Sequence, residues 1–226
     1  MKQRIPSARQ AGFTLVEIAI VLVIIGLLLG GILKGQELVT NARVRNVADQ
    51  QNAIKAAIFA FQDRFHALPG DYAQAATNIP AGVNGNGDAL IAAGAEQVQA
   101  WQQLTATGFI ACSVCTGVGA VPLGTNSPVN AYSGVMTIIF DTTYNDAALA
   151  TGPQRNNVKT GKNIPSNILS EVDRKIDDSN PRTGTFRFST WSDAIPAPTE
   201  ASCAPVGTDN WMVQTPATNC GAANLL

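Results

Sequence analysis

The sequence predicts an α+β protein: a long N-terminal α-helix whose first half is membrane-spanning, then a C-terminal globular head built around an antiparallel β-sheet. Three observations predict it. From Gln10 to Leu33 the only charged residue is Glu17. Past Lys34 the apolar residues Val47, Ile54, Ile58, Phe61 and Phe65 recur at spacings of 7, 4, 3 and 4, which is one stripe along a helix. No breaker interrupts this pattern before Pro69, and the segments richest in β-branched and aromatic residues all come later.

Charge patterning assigns the first element its environment. Of 226 residues, 46% are hydrophobic and 14% charged, with a net charge of −1. This excludes a disordered chain, a collagen and a disulfide miniprotein, and offers no basic excess for a whole-protein nucleic-acid surface. Residues 1–12 carry +3, residues 13–33 carry −1 through Glu17 alone, residues 34–66 carry +2, and residues 67–226 carry −5 from seven basic and twelve acidic side chains. A helix over Gln10–Leu33 is roughly 36 Å long, against about 30 Å of bilayer hydrocarbon. The basic residues precede it, which predicts a cytoplasmic N-terminus and an exported body. The apolar run continues through Gly30-Gly31-Ile32 into Lys34 without the small-residue cleavage site of a secretory signal peptide. An acid inside such a span costs a few kcal/mol, so Glu17 either stays wet near the interface or has a partner.

The string Gly12-Phe13-Thr14-Leu15-Val16-Glu17 resembles the cleavage and methylation motif of type IV prepilins and the pseudopilins of type II secretion. The resemblance is strong over residues 9–40 and weaker beyond. It implies that residues 1–12 are a leader, that a prepilin peptidase cuts after Gly12 on the cytoplasmic side, and that the new N-terminal Phe13 is N-methylated. It further implies that Glu17 pairs with the Phe13 amine of a neighbouring subunit during assembly. An ammonium and a carboxylate attract strongly in low dielectric, and each is costly unpaired, so the pairing would fix axial register. Many major pilins carry a proline about 22 residues into the mature chain; Lys34 stands there, and Gly26 or Gly30-Gly31 becomes the expected flexible point.

The helix is predicted to run from about Phe13 to Phe65. Residues 13–33 form the transmembrane and assembly helix, and residues 34–66 its amphipathic continuation. Leu68-Pro69-Gly70-Asp71-Tyr72 stops it, and residues 67–226 make the head. Ala67–Tyr72 also looks like a stretch that follows the long helix in many prepilin-like proteins. Two shorter helices are expected: Glu96–Thr107, with Gly108 as its C-cap, and Ser166–Asp177, after Pro165. Three strands are expected at Val135–Asp141, Thr185–Trp191 and Trp211–Thr215.

Four cysteines in an exported head predict two disulfides. Three pairings are possible, of which Cys112–Cys115 with Cys203–Cys220 is favoured. The second resembles the disulfide-bounded loop of many pilins and is worth about 3 kcal/mol in a chain-entropy model. Cys112-Ser-Val-Cys115 has redox spacing, but Thr116-Gly-Val-Gly-Ala is a poor helix start, so a structural bridge is preferred to redox chemistry or zinc. Asn84, Asn86 and Asp88 resemble the start of a calcium loop but place Ala89 and Ala95 where glycine and glutamate are needed, so a turn is preferred. Asp173, Asp177 and Asp178 form a weak calcium candidate; otherwise no cofactor is expected. His66, the single histidine, fits a cation near a helix C-terminus. No nucleophile elbow and no phosphate-binding loop accompanies it, so no catalytic residue is assigned and the chain is not expected to be an enzyme.

The leading reading is a structural subunit of a type IV pilus or related filament, polymerised through its N-terminal helix. A type II secretion pseudopilin and a minor pilin are the alternatives within the class, and a membrane-anchored, non-polymerising periplasmic binding module or enzyme is the alternative outside it. The expected partners are a prepilin peptidase, identical or related pilin subunits, inner-membrane lipid before assembly, and a pilus or secretion assembly platform. The acidic head disfavours DNA; Arg182 and Arg187 are the candidate for a local basic patch. The expected location is the bacterial inner membrane, with the head in the periplasm and the filament in the periplasm or at the cell surface.

Overall fold

The computed structural model describes residues 14–146 and 152–226. It divides into two compact units, one ending at Asn41 and the other comprising Ala42–Leu226. Helix α1, Leu15–Phe65, continues through that boundary and through Gly26, Gly30 and Gly31 without a break. Glycine lowers helix propensity by about 1 kcal/mol per position, and the surrounding leucines, isoleucines and valines sustain the helix here.

In the first unit the apolar side chains are uncovered. Leu15, Val16, Ile18, Ile20 to Ile25, Leu27 to Leu29, Ile32 and Leu33 are all exposed. A helix that is apolar all round, with nothing folded over it, needs lipid or other protein as its solvent. An 18-residue window of α1 has a mean hydropathy of 2.8 and is 0% buried, long and apolar enough to cross a membrane.

In the second unit the rest of α1 is core. The buried positions Val44, Val47, Ala48, Gln51, Ile54, Ala57, Ile58 and Phe61 repeat at three and four residues. They meet two groups of side chains. Val44, Val47 and Ala48 join Ile168, Leu169, Val172, Phe186, Phe188 and Trp211, while Ile54, Ala57, Ile58 and Phe61 join Ile91, Trp101, Leu104, Met136, Ile138 and Val158. Phe65 stacks on Phe61 with ring centroids 4.6 Å apart and is only partly buried. The helix ends where His66 takes a left-handed φ of 53° while its N–H still bonds to Gln62 O at 2.8 Å. The following turn needs Gly70: its φ is +90°, and a Cβ there would lie 2.4 Å from Glu96 O.

The head contains helices α2 (Ala75–Asn78), α3 (Ala95–Ala106), α4 (Ser166–Ile176) and α5 (Glu200–Cys203). Gly108, φ 81°, closes α3 through Gly108 N–H to Thr105 O and Phe109 N–H to Leu104 O, the paired bonds of a Schellman end. Pro165 stands just before α4. Four strands, β1 (Thr137–Asp141), β2 (Arg155–Lys159), β3 (Phe186–Phe188) and β4 (Ala222–Leu225), make one antiparallel sheet in the order β1-β2-β4-β3. In register, Ile138 faces Val158, Val158 faces Asn224, and Asn224 faces Phe186. The fold is α+β, as predicted.

The strand assignments need correction. Trp211–Thr215 is not a strand. Trp211 is buried, but its aromatic ring packs near Phe186 and Phe188 and its indole N–H is spent on Asp173, so the residue is a plug rather than a ladder member. The segment expected at Thr185–Trp191 is strand only over Phe186–Phe188. The sheet instead takes two strands of little β signature, Arg-Asn-Asn-Val-Lys in β2 and Ala-Ala-Asn-Leu in β4.

Candidate functional site

The N-terminus of α1 is organised by two residues. Thr14 precedes the helix, and Glu17 is its third residue. Glu17 Oε2 accepts the backbone N–H of Thr14 at 2.8 Å and its hydroxyl at 2.8 Å, and Glu17 N–H bonds back to Thr14 Oγ1 at 3.3 Å. This is a reciprocal capping box, the arrangement encoded by Thr-x-x-Glu. It gives the carboxylate an intramolecular partner and satisfies donors that a helix start leaves open. Gly12 and Phe13 lie outside the described residues. The Thr-x-x-Glu spacing was available in the sequence as a cap signal beside the assembly role that the resemblance implies for Glu17.

In the head, the structure joins Cys112 to Cys115, with Cα atoms 5.5 Å apart, and Cys203 to Cys220, 5.7 Å apart. The Cys203–Cys220 bridge is wholly buried among Leu169, Val172 and Trp211 and closes the loop that carries Trp211.

Asp173, Asp177 and Asp178 are not gathered into one ligand set. Asp173 is fully buried on α4 and accepts Trp211 Nε1–H at 2.7 Å, while its Oδ1 has no hydrogen-bond partner. Burial pushes its carboxyl up to about 7; the Trp211 bond opposes this, and the nearby Asp178 and Asp177 add to it. Asp177 instead takes the backbone N–H groups of Thr185 and Phe186, and Asp178 takes those of Asn180 and the Thr183 hydroxyl. Among the described residues no group of three or more His, Cys, Asp or Glu side chains is placed to hold a metal ion.

The Asn84–Asp88 segment is a turn closed on Asp71. Asp71 is buried; its Oδ1 accepts Gly87 N–H at 2.6 Å and Asp88 N–H at 3.0 Å, and its Oδ2 accepts Ala89 N–H at 2.8 Å. In the sequence Asp71 shows only as part of the helix stop. A second missed group lies on the sheet, where Lys159 Nζ, itself 1% exposed, sits 2.9 Å from Asp141 Oδ1. Burial pulls this ammonium down to about 8, with Asp141 opposing the shift. Asn157 Nδ2 donates to the same oxygen at 3.0 Å.

Arg182 and Arg187 do not form a free basic patch. Arg182 pairs with Glu200 at 2.5 Å and also donates to Ala204 O and Thr208 O, and Arg187 pairs with Asp146 at 2.6 Å.

The described part of α1 thus combines a window long and apolar enough to cross a membrane with an acid fixed at its first turn. Residues 7–33 match a family model described as the prokaryotic N-terminal methylation motif. That motif is the hallmark of type IV prepilin- and pseudopilin-like proteins, and it implies processing by a prepilin peptidase and assembly with related pilin subunits. The apolar helix and the motif together fit an inner-membrane anchor. No curated protein and no solved structure matches the chain.

Proposed function

We propose that the chain is a filament subunit of the type IV pilus class, made as a preprotein, cut between Gly12 and Phe13, and polymerised through the first half of α1. The observation that carries this reading is the uncovered apolar surface of Leu15–Leu33 beneath a methylation motif, with one acid in it. Lipid covers that surface before assembly, and neighbouring α1 helices cover it afterwards. Packing among those helices supplies cohesion. Glu17 sets register by meeting the neighbour's Phe13 amine, using Oε1 while Oε2 stays on Thr14. The head faces the periplasm or the exterior and provides surface rather than chemistry, and the role needs no cofactor. A pseudopilin of a secretion system and a minor pilin share every one of these features.

The decisive experiment is co-expression with a prepilin peptidase, followed by mass spectrometry of the mature N-terminus and electron microscopy of sheared fractions. The reading requires an N-methylated Phe13 and label within filaments. A chain that keeps its leader, or that is cleaved but stays monomeric in the membrane alongside its assembly platform, would be an anchored module instead.

A further inference from the structure

The two disulfides sit in opposite surroundings. Cys203 and Cys220 are both 0% exposed, inside the core packed on α1. Cys112 is only partly buried, and it lines an apolar recess of about 330 Å³ walled by Ile54, Trp101, Phe109, Ile110 and Pro128. Cys115, 5% exposed, points into the core behind it. Between Glu96 and Asp141 the sequence has no charged residue, so the loop side of the recess is uncharged, while on the α1 side the exposed Asp49 lies one turn before Ala53. Val114, Val118, Val121 and Leu123, in and just after the same disulfide loop, are also exposed.

We propose that Cys112–Cys115 is an exchangeable disulfide, opened and closed by a dithiol-bearing protein that lays an uncharged, apolar stretch of its chain in the adjoining recess. Access decides which sulfur is attacked. A thiolate of the partner forms a bond to Cys112 Sγ, the Cys112–Cys115 bond breaks, and Cys115 leaves as a thiolate that takes a proton. The partner's second thiol then attacks its own mixed disulfide and expels Cys112, which is protonated in turn. Two electrons and two protons pass to this chain, and the partner is left as a disulfide; closure is the reverse. The chain is the partner's substrate rather than itself an oxidant. Residues 116–127 contain no helix, so no helix N-terminus stabilises a Cys112 or Cys115 thiolate in the way a catalytic site requires. The apolar wall of the recess selects the occupant: a charged segment laid against Ile54, Trp101, Phe109 and Ile110 would lose its hydration without gaining an ion partner there. The inference is independent of whether the chain polymerises.

The test uses the full chain in detergent micelles under native conditions. Limiting dithiothreitol is quenched with N-ethylmaleimide, and the adducts are mapped by mass spectrometry. Cys112 and Cys115 should acquire label about tenfold or more ahead of Cys203 and Cys220, since exchange rates follow access, with the circular dichroism of the folded head retained. Concerted opening of both bridges, prior opening of Cys203–Cys220, or loss of folded structure would overturn the proposal. Reduced thioredoxin serves as the protein dithiol. Ala53→Trp, placed on an exposed position lining the recess, should slow thioredoxin about tenfold and leave dithiothreitol unaffected. Equal slowing of both reagents, or of neither, would refute the recess as the partner's seat.

Discussion

Glu17 and Thr14 hold each other: one carboxylate oxygen of Glu17 takes both the amide and the hydroxyl of Thr14, and the Glu17 amide returns a bond to the Thr14 oxygen. Under the proposed filament role the same acid has two separable tasks, starting the helix within the subunit and meeting an amine between subunits. Substitution can divide them. Thr14→Val removes the cap, worth about 1 kcal/mol, and leaves the charge, so we expect normal cleavage and normal filament yield. Glu17→Ala removes both, and we expect cleavage after Gly12 with at least tenfold less sheared filament, since an amine left unpaired in a low dielectric is costly. Comparing filament and membrane fractions by immunoblot decides it; equal incorporation of Glu17→Ala would remove the register role.

Lys159 is 1% exposed in this sheet, and its ammonium is held by Asp141 Oδ1 at 2.9 Å, with Thr143 O at 3.2 Å as a second acceptor. Breaking one side of such a pair is more damaging than removing both. Asp141→Ala should cost roughly 3–5 kcal/mol in urea unfolding, whereas the double change Asp141→Leu with Lys159→Met should recover most of it. The charge also sets a pH trend. The folded-state value of Lys159 is lowered to about 8, so between about 8 and the unfolded value near 10.4 the unfolded chain holds more protons, and this group's contribution to stability rises with pH.

This pair also explains where the sequence was opaque. The long helix was legible because its period of three and four persists from Val44 to Phe61, and the ends of α3 and α4 were legible from Gly108 and Pro165. Strand β2 was not, because beside the core residue Val158 it buries Asn157 and Lys159 on its other face, polar side chains that bond to an aspartate 16 and 18 positions earlier in the chain. No local pattern carries that information. Strand β4 is short and alanine-rich, and it is a strand because β2 and β3 lie on either side of it. Trp211 misled in the opposite direction, since an apolar aromatic beside Met212 and Val213 reads as a strand while its indole N–H is held by Asp173. Over residues 7–33 the methylation motif was legible, and the Thr14 cap could have been.

Asp71 fixes the turn after α2 by accepting three backbone amides, from Gly87, Asp88 and Ala89. Asp71→Ala leaves those donors without their acceptor in a partly buried site, at a cost of about 2–3 kcal/mol. Hydrogen exchange of those three amides should accelerate at least tenfold while amides in the sheet core hold their rates. Uniform acceleration across the head would show global destabilisation instead. Calcium added to the wild type should leave the Tm unchanged, because the oxygen atoms of this turn are already committed to amides.

Asp173 gives the head a pH dependence of opposite sign to Lys159. Its carboxyl is raised to about 7 by burial, with Asp178 and Asp177 adding to the rise and the Trp211 bond opposing it. Between the unfolded value near 3.9 and about 7 the folded state holds more protons than the unfolded chain, so this group's contribution to stability falls as pH rises through that window. Asp173→Asn keeps an acceptor for Trp211 Nε1–H and cannot ionise. Its Tm should match the wild type near pH 4 and exceed it by about 2–4 °C at pH 8, the shift roughly 1 kcal/mol produces in a domain of this size. A difference independent of pH would mean that packing, not ionisation, governs the site. Trp211 fluorescence reports the same event locally: in the wild type its emission should titrate near pH 7 without unfolding, and in Asp173→Asn it should stay flat.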